Sequence, residues 1–86
     1  MKATILPAPL GNWVLVRKEK KSGGLILPDS AADAFNFIVV DSGPDVEGLE
    51  AGERIELMPR LALATGVMLD DHHALLKAET IIGVYR

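Results

Sequence analysis

The feature that most constrains this chain is its punctuation. Eight glycines and five prolines are spread over 86 residues, from Pro7 to Gly83. No window of a dozen residues carries a clean 3.6-residue apolar stripe with caps, so long amphipathic helices are excluded. Between the breakers lie short β-branched runs, the pattern of an all-β barrel or sandwich. Strand-like segments are Asn12 to Lys18, Asn36 to Asp41, Arg54 to Met58, Leu61 to Leu69 with a kink at Gly66, Ala74 to Lys77, and Thr80 to Tyr85. At most one short helical turn is expected, at Ala78-Glu79-Thr80.

Size and composition set further limits. One domain is the upper bound, residues 1–86, and such a chain buries only about 60–65% of its unfolded surface. Small cores gain margin from a disulfide, a metal or a partner subunit. There is no cysteine, which removes disulfides and thiolate metal sites and fits a reducing, cytoplasmic compartment. Apolar residues make up 49% of the chain, which argues against disorder. Apolar runs are interrupted every few residues, so no membrane span is expected. Pro7 and Pro9 break the first segment before a signal-peptide core forms. The net charge is −3. Four of the nine basic residues fall in Arg17-Lys18-Glu19-Lys20-Lys21, leaving an acidic body that matches a phosphate backbone poorly. That run lacks interleaved aromatics and reads as a solvated hinge. No nucleic-acid partner is expected.

Two connections stand out. Residues 43–53 are rich in glycine and acid and read as an exposed loop ending in a turn at Gly52. Residues 18–35 form the other, and loops of that length in small domains tend to be functional or disordered. This loop opens polar, passes through Gly23-Gly24, and then presents Leu25-Ile26-Leu27 before Pro28. The triplet reads either as one more core strand or as a recognition strip buried in a partner. Gly23-Gly24 leaves the backbone ahead of it free to take positive φ.

At this point the order of features resembles the GroES-type co-chaperonins, the ring-forming lids of chaperonins. Pro9-Leu10-Gly11-Asn12-Trp13-Val14-Leu15-Val16-Arg17 resembles the family's opening strand. Gly23-Gly24-Leu25-Ile26-Leu27-Pro28 is similar to its mobile-loop core. Ala51-Gly52-Glu53-Arg54-Ile55 resembles its Gly-Asp turn into a strand, and Leu75 to Val84 its closing segment. Departures are Asn36 for a glycine, Asp41-Ser42-Gly43-Pro44 for Val-Gly-x-Gly, Glu53 for aspartate and Thr80 for aspartate. The projecting roof hairpin is cut to residues 43–50. The departures fit a divergent, short member, such as a viral one acting in its host's cytoplasm.

The resemblance implies a small, partly open β-barrel with a mobile loop at about residues 18–35. It implies a non-catalytic lid that assists ATP-dependent folding, with Gly23, Gly24, Leu25, Ile26 and Leu27 docking on a GroEL-type chaperonin. ATP would be bound by that partner, so no cofactor is expected here. It also implies a homo-oligomeric, heptameric ring. An open barrel leaves edge strands uncovered. Pairing Ala3, Thr4, Ile5 and Leu6 of one subunit with Ile81, Ile82, Val84 and Tyr85 of the next would cover both.

Other chemistry has less support. Asp70-Asp71-His72-His73 is the one cluster resembling a metal site, but strand neighbours point to opposite faces, and it reads as a polar turn. Ser22, Ser30 and Ser42 have no nearby histidine in sequence, so no catalytic residue is assigned and no enzyme is expected. Two alternatives stand beside the lid: a generic oligonucleotide-binding or SH3-like interaction barrel, and a structural viral subunit without chaperonin activity.

Overall fold

A computed structural model describes residues 5–20 and 35–86. Six strands form one antiparallel sheet: β1 (Trp13–Lys20), β2 (Phe35–Ser42), β3 (Arg54–Leu57), β4 (Val67–Met68), β5 (His73–Lys77) and β6 (Ile81–Tyr85). A helix, α1 (Pro59–Thr65), and a 3₁₀ turn, Ala78–Thr80, complete the fold. The expected small all-β architecture is what the chain adopts, with the turn at Ala78–Thr80 in place, but α1 exceeds the single helical turn that the sequence suggested. Spatial order in the sheet is β4-β5-β1-β2-β3-β6.

That order explains the core. Strand β1 is paired on both sides, with Val14 opposite Leu76 of β5 and Ser42 of β2. The central Val14-Leu15-Val16 run is correspondingly buried throughout. Val14 and Val16 meet Val39, Ile55, Leu57, Ala62, Ala74 and Leu76 in one cluster, as alternation along β1 requires. Leu15 points to the other face, opposite Leu75 of β5, and is also buried. The β1–β2 register shifts between Leu15 and Val16. Such a bulge sharpens twist and bends the sheet around its core.

Two expectations are corrected. Residues 61–69 do not form one kinked strand; Pro59–Thr65 is helical and only Val67–Met68 is extended. Proline stands in the first helical turn, where its missing N–H costs nothing. Arg60-Leu61-Ala62-Leu63-Ala64 are strong helix formers. Gly66 stops the helix, its N–H donating to the Ala62 carbonyl at 2.8 Å. Ala62 is the helix's buried contact with the core, while Leu63 is exposed. Second, Lys18, Glu19 and Lys20 belong to β1 and pair with Phe37, Asn36 and Phe35. The connection between the two strands is therefore residues 21–34 rather than 18–35.

Candidate functional site

The last pair of the β1–β2 ladder is Lys20 with Phe35. Gly23, Gly24, Leu25, Ile26 and Leu27 lie on the connection between these two residues, outside the described residues. Near that end of the hairpin the Lys18 ammonium sits over the Phe35 ring, 4.9 Å from its centre. Arg17 and Glu19, on one face of β1, form an exposed ion pair at 2.6 Å.

The expected subunit contacts are split. Ala3 and Thr4 fall outside the described residues. Ile5 is 93% exposed and Leu6 is half-buried. Strand β6 ends the sheet, pairing with β3 along one side only. Ile81 and Val84 pack against the core and Ile82 and Tyr85 are exposed, a pattern that departs from strict alternation where the β3–β6 register shifts between Glu56 and Leu57. At the opposite end, β4 offers only two residues, both exposed. Beside it runs a shallow apolar groove of about 260 Å³ lined by Ala8, Pro9, Leu10, Trp13, Val67 and Leu75. Trp13 thus lies on the face opposite the main core, as its alternation with Val14 and Val16 suggests, with the Lys77 ammonium 5.6 Å from its ring centre.

The Asp70–His73 cluster is a turn between β4 and β5. Asp70 Oδ1 accepts the N–H groups of His72 and His73, each at 2.7 Å. The His73 ring nitrogen Nδ1 lies 3.1 Å from the same oxygen. The His72 N–H, joined by the His73 ring and N–H, holds the Asp70 carboxyl below its usual range. The aspartate is therefore occupied as a turn-forming acceptor. Among the described residues no group of three or more histidine and carboxylate side chains is placed to hold a metal ion. Ser42 of β2 pairs with Val14 and His73 of β5 with Arg17, so β1 lies between them and they are offset along it, a separation of roughly 14 Å that prevents a nucleophile–base pair. No helix among the described residues is long and apolar enough to cross a membrane.

The 43–53 loop is more than an exposed tether. Val46 and Leu49 are half-buried and pack on the core. Positive φ at Gly48 and Gly52 turns the chain back. Arg86 reaches the loop at two points: Nε donates to Glu53 Oε2 at 2.8 Å and Nη2 donates to the Gly48 carbonyl at 2.5 Å. Glu53 Oε1 accepts the Glu50 N–H at 2.8 Å. Arg86, followed by the Glu50 N–H, holds the Glu53 carboxyl below its usual range. Alongside, the Arg54 guanidinium stacks 4.0 Å from the centre of the Tyr85 ring, and the Tyr85 hydroxyl donates to the Glu56 carboxylate. Sequence reading assigned no role to Arg86. The available signal was one terminal cation set against a segment bearing Asp45, Glu47, Glu50 and Glu53 with no base of its own.

No protein-family model, curated protein or solved structure matches the chain.

Proposed function

We propose that this chain is a co-chaperonin subunit, a cytoplasmic ring lid that docks on a chaperonin through Leu25-Ile26-Leu27. The supporting observation is positional. The strip that resembles the family's docking core falls between two strands whose ends pair directly, Lys20 with Phe35. A hairpin is thus the base from which the strip is carried. Exposed Ile5 and Ile82, together with the one-sided pairing of β6, leave the surfaces that ring closure requires open to a neighbour.

The energetics favour a ring over a lone subunit. Burying three Leu or Ile side chains gains about 1.5–3 kcal/mol each. Ordering the backbone that carries them costs about 1–2 kcal/mol per residue. One strip therefore binds weakly. Once one strip is docked, the next sees an effective concentration on the order of millimolar. A ring then holds firmly yet releases together when a nucleotide-driven partner moves its sites apart. The chain needs no cofactor for this role, since the partner binds the ATP.

The test is Ile26→Asp, read by native mass spectrometry and by co-sedimentation with a GroEL-type chaperonin and nucleotide. The expected result is an intact heptameric ring that no longer binds. Unchanged binding would remove the strip as the anchor.

A further inference from the structure

We infer that Arg86 is a strap that holds the 43–53 loop down as a lid over one end of the core, and that the strap is built to release. Backbone hydrogen bonds fix both shoulders of this loop. The Asp45 N–H donates to the Gly11 carbonyl at 3.0 Å, and the Val46 N–H to Gly43 at 3.1 Å. On the far side the Gly52 N–H donates to Val39 at 2.7 Å. Between Val46 and Glu50 the described hydrogen bonds hold the backbone at one point, the Gly48 carbonyl, and Arg86 makes that bond. Gly48 itself has φ +82° and open space where a side chain would be. The middle of the loop therefore rests on two supports, the packing of Val46 and Leu49 below and the Arg86 guanidinium at the side.

The strap is weak by design of its surroundings. The Arg86 side chain is 63% exposed while Glu53 is mostly covered. An exposed ion pair contributes little and is screened by salt. The loop meanwhile carries Asp45, Glu47, Glu50 and Glu53, which repel one another unless a cation stands among them. Removing Arg86 from Glu53 and Gly48 leaves that repulsion to lift the segment, baring Val46 and Leu49. The same residue follows β6 directly, so its hold on the loop also ties the sheet's last strand to Glu53 at the head of β3.

The experiment is timed cleavage of the full chain by a glutamate-specific protease, with rates normalised to an unstructured peptide at each salt concentration. Glu47 and Glu50 report the lid, and Glu79 reports the rest of the fold. Cleavage that follows a fast opening equilibrium tracks the open population. Arg86→Ala is expected to speed cleavage at Glu47 and Glu50 by about two- to fivefold, the range over which an exposed ion pair shifts an equilibrium, with Glu79 unchanged. High salt screens both the Arg86–Glu53 pair and the carboxylates' mutual repulsion, so it should raise the wild-type rate, lower that of Arg86→Ala, and bring the two together. Arg86→Lys, which keeps a cation among the four carboxylates and can still donate, should restore slow cleavage in part. Unchanged rates at Glu47 and Glu50, or equal acceleration at Glu79, would overturn the strap.

Discussion

Gly43 lies so close to Gly11 that a Cβ at position 43 would stand 2.2 Å from the Gly11 carbonyl oxygen. The entry to β1 and the exit from β2 cross here, backbone against backbone. The Gly43 N–H donates to Trp13 at 2.8 Å and seals the crossing. Gly43→Ala must push the two segments apart, and overpacking of this kind costs about 1–3 kcal/mol. Gly83→Ala is the control. A Cβ there meets only the Glu56 Cβ, at 3.9 Å, so its cost should be close to nil. Urea midpoints of the two variants, compared at equal m-value, check the difference.

The core places its weight on a few side chains. Leu76 of β5 is 5% exposed and Leu63 of α1 is 75% exposed. Leu76→Ala should lose about 2–5 kcal/mol, transfer and cavity together. Leu63→Ala should stay within about 0.5 kcal/mol of wild type. Equal losses in chemical denaturation would mean that α1 lies on its other face.

Much of this was legible in the sequence, and the exceptions have physical causes. The Val14-Leu15-Val16 alternation, the Arg54–Leu57 strand and the closing 3₁₀ turn were readable because period-2 patterning and short breakers are local signals. Residues 61–65 were misread because Leu-Ala-Leu-Ala alternates like a strand. Pro59 ahead and Gly66 behind carried the helix signal, and intrinsic propensity decided it. The extension of β1 through Lys20 was hidden by its charges; a hairpin end tolerates Lys18 and Glu19 because water still reaches both. Arg86 was silent because its partners, Glu53 and Gly48, are distant in sequence. The proposed docking strip lies outside the described residues, so its reading rests on the sequence.

Two carboxylates set the acid response. Glu53 is held low by Arg86 and Asp70 by the His72 N–H. Each binds its proton less readily folded than unfolded, so each stabilises the fold above the ordinary carboxylate range. That stabilisation fades as pH falls through the ordinary value of about 4 and is gone below the depressed folded value. Tyr85 has the opposite sign. Its bond to the Glu56 carboxylate raises its pKa, so the neutral phenol's contribution is present below about pH 10 and is lost as pH rises through the folded value. Urea midpoints across pH should form a plateau with both shoulders. Asp70→Asn should shallow the acid shoulder and leave the alkaline one in place, whereas Tyr85→Phe should do the reverse.

The proposed ring closure makes a separate demand on the two exposed isoleucines. Ile5 and Ile82 are 93% and 62% exposed, so neither supports the subunit's own core. Ile82→Lys should leave the urea midpoint of an isolated subunit within about 0.5 kcal/mol of wild type. It should nevertheless abolish assembly, because a lysine placed in a buried contact must be desolvated without a partner. Ile5→Asp should behave likewise. Side-chain exchange is a cleaner probe than removing residues 82–86, which would also take Tyr85 off Glu56 and Arg86 off Glu53. Sedimentation velocity on the wild type and both variants separates the outcomes. A wild-type ring with monomeric variants supports head-to-tail pairing of the first segment with β6. Rings that persist in both variants would move the interface elsewhere, with the β4 edge and its Trp13 groove the next surface to substitute.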